Sequence, residues 1–417
     1  MGSTPVAITG LGLVSAVGAS VTALRAALDR GQSGLRRLTL FESELASEFP
    51  VGQYDGDLVA DFASVRRKLG AREIKRLSRS DLLALCATAQ AVNQSGLADA
   101  ALSPAGVYLG HSVCGTNRSE AYYIDCFRRA QDGREQTRAG IANLMVHEAA
   151  QSVDAIAREY GLCGPSTSLM TACSSGANAI GRAAWLIRQG RADVMIAGGT
   201  DSLSRITLNG FNALQLVASD GPRPFDAERK GMTVGEGAGV LVLESLDHAR
   251  KRGAKILALL SGYGHSCDAH HLTAPHPQGA GAFAAMKSAL IDAALQPGDI
   301  GYVSAHGTST PDNDKTEALA VSRLFGEGAV PVSSTMRFFG HALAASGAIK
   351  AVVCVDAIQR RTLPQNLGLR TPLTESRLDL VREPRAAANL RHVISNSFGF
   401  GGNNAVLVFS RESGPAA

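Results

Sequence analysis

The stretch Met170-Thr-Ala-Cys173-Ser-Ser-Gly176-Ala-Asn-Ala-Ile-Gly181 decides how this chain is read. Residues 168–172 form a short strand-like run, and a turn of small residues follows. Ala177, Ile180, Ala184 and Ile187 then recur at helical spacing until Gly190 stops the pattern. A strand, a sharp turn and a helix therefore meet at Cys173. A cysteine at a helix N-terminus faces unpaired N–H groups and the positive end of the helix dipole, which favour thiolate. The small neighbours leave room for a substrate to approach. A buried small residue without chemistry is the competing reading, and the strand–turn–helix setting is what argues against it.

Outward from this point, short β-rich runs alternate with helical patterns, the mark of α/β layering. Strands are expected over 6–9, 107–110, 194–198 and 239–243, then over 256–261, 302–305, 330–333, 392–396 and 405–409. Helices fit 21–28, 79–95, 146–160, 174–188, 283–293, 315–324 and 342–359. Gly235-Glu-Gly-Ala-Gly-Val-Leu-Val-Leu-Glu-Ser245 resembles Gly401-Gly-Asn-Asn-Ala-Val-Leu-Val-Phe-Ser410: each is a Gly-rich turn feeding an apolar strand. The pair suggests a duplication, with a break in the polar stretch 247–255. Two domains, 1–250 and 251–417, are expected, packed together because no low-complexity linker separates them.

Composition narrows the function classes. The chain has 417 residues, against roughly 150 per domain. With 45% apolar and 19% charged residues it can bury a large core, so disorder is excluded. Aromatics are only 5%, too few for base-stacking platforms, and the net charge of +4 is too small for a nucleic-acid binder. The seven cysteines form no C-x-x-C pair and no zinc-finger spacing, so they read as free thiols in a reducing cytosol. The first basic residue is Arg25, which argues against a secretory signal. The uncharged run 6–24 contains Gly10, Gly12 and Gly18 and several hydroxyls, so it reads as strand, turn and helix start, not as a membrane span. A cytoplasmic protein is expected. Gly10-Leu-Gly12-Leu-Val-Ser15 lacks the third glycine and the following acidic residue of a dinucleotide loop, and that cofactor is rejected.

Two histidine segments and one glycine loop complete the candidates. Ser304-Ala-His306-Gly-Thr308-Ser-Thr310-Pro311 follows a strand and runs into a Thr-rich loop. Phe339-Gly340-His341-Ala-Leu-Ala-Ala-Ser-Gly347 places a histidine at the start of an Ala-rich helix, where the neutral, hydrogen-bond-donating form is favoured. Each alone also reads as a packing histidine. Two histidines without a carboxylate at metal spacing argue against a metal site. In Asn396-Ser-Phe398-Gly399-Phe400-Gly401-Gly402-Asn403, the glycines around Phe400 can expose N–H groups as half of an oxyanion hole.

Cys173, His306, His341 and the Gly-Phe-Gly-Gly loop, in this order, resemble the β-ketoacyl-acyl-carrier-protein synthases, and the KAS II-like elongating type in particular. Val6-Ala-Ile-Thr-Gly-Leu-Gly12, Gly164-Pro165, Arg223-Pro-Phe-Asp226 and Val234-Gly-Glu-Gly-Ala-Gly239 extend the likeness over nearly the whole chain. The resemblance implies a thiolase fold, two similar α/β halves in a five-layer αβαβα arrangement, as a homodimer or as a heterodimer with a related chain. It implies that Cys173 takes an acyl group from a carrier thioester. His306 and His341 then promote decarboxylation of malonyl-carrier protein, while the N–H groups of Cys173 and Phe400 form the oxyanion hole and Phe400 gates the cysteine. By the same resemblance Thr308 and Thr310 hold the phosphopantetheine arm, Asp314 and Glu317 stand behind the catalytic loop, and Val113 lies in the floor of the acyl pocket. It implies no metal and no cofactor beyond the phosphopantetheine carried by the acyl carrier protein.

The chain departs from the family at two positions. Met336 stands where the family usually carries Lys, and Lys350 where it usually carries Glu. Lys350 is expected to bring a positive charge back to the site and to find a carboxylate such as Glu317 or Asp314, since an unpaired buried charge is costly. If Met336 only packs and Lys350 faces solvent, a non-elongating partner subunit like the chain-length factors becomes the alternative; the intact Cys173 and histidine pair argue against it. Arg66, Arg67, Lys68, Arg72, Lys75 and Arg76 crowd one stretch with only Glu73 opposing. This reads as a solvated basic surface or as a dock for an acidic acyl carrier protein.

Overall fold

The computed structural model describes residues 4–134, 140–374 and 377–412. Eleven strands join into one sheet: β1 (Val6–Ser15), β2 (Gly106–Gly110), β3 (Ser166–Leu169), β4 (Val194–Asp201), β5 (Gly237–Ser245), β6 (Ala258–Cys267), β7 (Tyr302–Ser304), β8 (Pro331–Ser333), β9 (Asp379–Leu380), β10 (His392–Gly399) and β11 (Asn403–Ser410). Their order is β9-β8-β7-β10-β11-β6-β1-β5-β4-β2-β3.

The sheet repeats itself about its middle. β1 pairs antiparallel with β5 and β5 with β4; β4 and β2, then β2 and β3, run parallel. β6, β11, β10, β7 and β8 repeat this sequence of pairings. The two sets meet where β1 and β6 pair antiparallel, Val6 opposite Leu260.

Layering follows from which face each strand residue buries. Val240 and Val242 on β5 point into one apolar cluster, while Leu241 and Leu243 point into another. On β11, Val406 and Val408 face a third cluster, and Leu407 and Phe409 face the same middle one as β5. β5 and β11 are buried on both faces, which is why they read as continuous apolar runs. Helices α1 (Arg79–Ser95) and α2 (Ala150–Tyr160) cover the outer face of the first set. Helix α3 (Ser175–Arg188) lies in the middle layer. Helices α4 (Ala280–Ala293) and α5 (Pro311–Phe325) cover the outer face of the second set. Helix α6 (Ala344–Arg360) packs against α3 and touches strands of both sets. It is buried from 344 to 358, so it lies in the middle of five layers.

The glycines of β1 serve this packing and make no loop. A Cβ on Gly10 would stand 2.0 Å from the carbonyl oxygen of Ala91, and one on Gly12 would stand 1.7 Å from that of Ala87. Helix α1 presses directly on the strand there. The strands and helices expected from the sequence are found, with shifted ends: the helix expected from 146 starts at Ala150. The strand-like run placed at 168–172 is β3, ending at Leu169. The helices Thr116–Gln131 and Arg205–Ala213 were not expected.

Candidate active site

The turn that carries Cys173 is built by the start of its own helix. Ala172 takes a left-handed backbone, φ 50°, a conformation that costs a non-glycine residue about 1 kcal/mol. The Ser175 hydroxyl compensates locally, accepting from the Thr171 N–H at 2.8 Å and lying 2.6 Å from the Ala172 carbonyl. Asn178, one turn into α3, donates to the Thr171 hydroxyl at 2.8 Å. Gly176 lets α6 close in, since a Cβ there would meet the Ala344 carbonyl oxygen at 2.5 Å.

Cys173 is buried, and burial pushes its thiol up to about 12. The backbone N–H groups of Phe400 and of Cys173 itself oppose that rise, as does the Lys350 charge, while the Asp201 charge adds to it. This corrects the expectation of a thiolate at a helix N-terminus: desolvation outweighs the backbone donors, and the resting group is a thiol.

His306 follows β7, and its backbone N–H donates to Glu317 at 2.8 Å; the Gly307 N–H donates to the other carboxylate oxygen at 2.8 Å. Glu317 also accepts from the Asn396 side chain at 2.9 Å, so the loop is clamped from behind. His341 is fixed through its backbone, donating to Thr233 at 2.7 Å and accepting from Gly235 at 2.9 Å. Its Nδ1 lies 2.9 Å from the Ser346 hydroxyl. The two imidazoles stand edge to face, 5.3 Å apart at 84°. Burial first, then the Lys350 charge, pushes His341 down to about 3 and His306 well below its ordinary value. Both rings are neutral at neutral pH. His341 precedes α6 by three residues and is separated from it by Leu343 at φ 50°, so burial, more than the helix end, keeps it neutral.

Cys173, His306, His341, Thr308, Thr310 and Phe400 line one cleft of about 300 Å³. The two threonine hydroxyls are 2.9 Å apart. The Phe400 ring packs against Phe211 at 5.8 Å, over a turn whose Gly401 and Gly402 take φ 75° and 74°. A larger cleft of about 760 Å³, lined by Leu69, Arg76, Arg118 and Arg158, holds none of these groups.

Lys350 is fully buried, and its ammonium donates to the Ala305 carbonyl at 3.2 Å and to the Asn396 carbonyl. Among the described residues it makes no ion pair within 4 Å; Glu317 acts on it only at longer range, so the expected direct carboxylate partner is absent. Asp314 instead accepts from the N–H groups of Phe225, at 2.7 Å, and Ser309, at 3.0 Å. Met336 is buried in the middle core beside Phe338 and Phe339. Val113 is not brought to the cleft lining; its N–H donates to Asp201 at 2.9 Å.

Asp201 is a residue the sequence reading missed. It is fully buried, and it accepts N–H bonds from Ser112, Val113, Cys114 and, at 2.9 Å, Ala344. It ties the loop after β2 to the start of α6. The signal was an acid closing the otherwise apolar run of β4. The basic stretch forms a turn and the short helix Ala71–Ile74, with Arg66, Arg67, Lys68, Arg72, Lys75 and Arg76 all exposed. Arg67 is paired with Asp99 at 2.7 Å, and Glu73 with Arg158.

The family models for the β-ketoacyl synthase N-terminal and C-terminal domains match residues 3–249 and 257–370. The chain belongs to the β-ketoacyl synthase family. Within that family it is 39% identical to a 3-oxoacyl-[acyl-carrier-protein] synthase 2 of Rhizobium meliloti, over 98% of this chain and 99% of the relative. Among solved β-ketoacyl synthases, the ishigamide ketosynthase/chain length factor superposes with a TM-score of 0.89 at 30% identity, covering 99% of this chain and all of that one. A type II polyketide ketosynthase solved with its acyl-carrier protein gives 0.86 at 27% identity, over 99% of this chain and all of that one. These neighbours have the thiolase fold, the five-layer arrangement described above.

Proposed function

We propose that this β-ketoacyl synthase is an acyltransferase that condenses an acyl group held on Cys173 with malonyl-acyl-carrier protein, with loss of CO₂, to give a β-ketoacyl-carrier protein two carbons longer. The observation that carries the reading is that Cys173, His306, His341 and Phe400 line one cleft.

The chemistry follows from the protonation states. In acyl transfer the Cys173 sulfur attacks the thioester carbonyl, a carbon–sulfur bond forms and the carrier thiol leaves. The proton lost by Cys173 passes to a neutral imidazole and on to the departing carrier thiolate. Oxyanion charge in the tetrahedral intermediate falls on the N–H groups of Cys173 and Phe400; removing one such donor elsewhere costs roughly 10²–10³ in rate. Malonyl thioester then enters. The neutral imidazoles of His306 and His341 donate to its carbonyl, the C–CO₂ bond breaks, and the enolate carbon attacks the Cys173 thioester, freeing the sulfur as a thiolate that takes up a proton from water. A neutral ring keeps one N–H to donate to that carbonyl and one bare nitrogen that can take a proton. Thr308 and Thr310, at the cleft wall, receive the pantetheine arm.

The partner on this reading is an acyl carrier protein, bound at the exposed basic stretch around Arg67, Arg72 and Lys75, with a second ketosynthase-like chain as subunit. The intact Cys173, His306 and His341 disfavour a non-elongating subunit. Purified protein mixed with acyl- and malonyl-carrier protein is expected to release CO₂ and yield the extended β-ketoacyl product; release of neither would overturn the assignment.

A further inference from the structure

Of the buried residues of α6, only Lys350 and Asp356 are charged. Asp356 is ion-paired with Arg25. Lys350 has no such partner among the described residues, and its ammonium rests on two backbone carbonyls. Burying an ammonium without a paired carboxylate costs several kcal/mol, so packing gains nothing from it. The two carbonyls are placed to matter: Ala305 precedes His306, and Asn396 is the residue that holds Glu317.

We propose that Lys350 supplies the positive charge of this site: its ammonium, held on the carbonyls of Ala305 and Asn396, stabilises the negative charge that forms on the Cys173 sulfur. Lys350 touches no substrate and is a positioning residue, acting through the field it sets. The groups that share this field are Glu317 on α5, His306 and His341 in their loops, Cys354 on its own helix, and Asp201 beside the cysteine. The two histidines are neutral; Lys350 lies behind the cleft wall, and the exposed Lys230 is the cation on the cleft lining itself. Burial lowers Lys350 to about 8, which puts the loss of this charge within a measurable range.

The inference rests on Cys173 as the nucleophile but is tested without acyl transfer. Iodoacetamide is the probe. The Cys173 thiolate attacks its methylene carbon, a carbon–sulfur bond forms and iodide leaves. Peptide mapping separates Cys173 from the exposed Cys163 and Cys267. In the wild type, the logarithm of the alkylation rate is expected to rise with pH, flatten near pH 8 as Lys350 loses its proton, and then rise again. Lys350→Gln, which keeps a donor without the charge, and Lys350→Met, close in volume, are expected to slow alkylation at pH 7.5 about tenfold, one unit of thiol shift, and to give profiles without the flattening. A wild-type profile that rises evenly through pH 8, or folded variants alkylated at the wild-type rate, would overturn the proposal; the wild-type profile decides alone if both variants fail to fold. A chain that alkylates as predicted but never extends an acyl group would sink the proposed function and leave this inference standing.

Discussion

The loops that lead into β5 and β11 carry the same sequence signature and do opposite work. Residues 234–239 are buried throughout. Gly235 accepts the approach of α6's leading segment, its N–H on the His341 carbonyl, and Glu236 is locked by Arg79 at 2.6 Å and by the Tyr54 N–H at 3.0 Å. The second loop has glycines where the first has Gly235 and Glu236. Gly401 and Gly402 sit at positive φ, Gly401 is exposed, and its N–H reaches the Leu272 carbonyl at 2.7 Å. The first loop anchors His341 from below; the second forms a thin rim over Cys173. The same turn sequence is foundation beside one set of strands and doorway beside the other.

Substitutions should separate the two. The largest effect is expected at Gly235→Val, because even a Cβ would stand 2.5 Å from the Phe339 carbonyl oxygen. Chemical denaturation should show a loss of about 3 kcal/mol or more. Next comes the buried lysine that holds the Asn396 carbonyl at the root of the second loop. Lys350 drops to about 8 in the folded protein from 10.5. Between those values the unfolded chain holds the proton and the folded one does not, so stability rises with pH over this window, and the gain is absent below pH 8. Relative to Lys350→Gln, the wild type should gain up to about 3 kcal/mol between pH 8 and pH 10.5 in parallel denaturation series. At Gly401→Ala the positive φ should cost only about 1 kcal/mol of stability, while acyl transfer falls by roughly 10² as the Phe400 N–H turns away from the sulfur. Stability loss at Gly401 equal to that at Gly235 would erase the contrast. The smallest effect is expected at Phe211→Ala. It removes the ring packed on Phe400 from a half-buried site, and melting should move by less than about 1 kcal/mol while access to Cys173 increases.

How much of this was legible in the sequence depended on where each interaction partner lies. Strands such as β4 and β5 announce themselves because burial on both faces demands unbroken apolar runs. β3, with the sequence Ser-Thr-Ser-Leu at the sheet edge, carries no such pattern, and its position was blurred into the turn that follows. The cleft residues Cys173, His306, His341 and Phe400 stood out through their local turns. Asp201 did not, because its N–H donors come from 87 to 89 residues earlier and 143 later in the chain. The protonation state of Cys173 was misjudged for the same reason. A helix end can be read locally, whereas the desolvation that overrides it comes from residues distant in sequence.

The proposed function requires the Cys173 Sγ to carry the acyl chain. Exposing the protein to acyl-carrier protein without malonyl donor, then digesting it and weighing the peptides, tests this directly. The account predicts the acyl mass on the peptide containing Cys173 and its absence after Cys173→Ala. Acyl mass on any other peptide, or none on a folded wild-type protein, would contradict it.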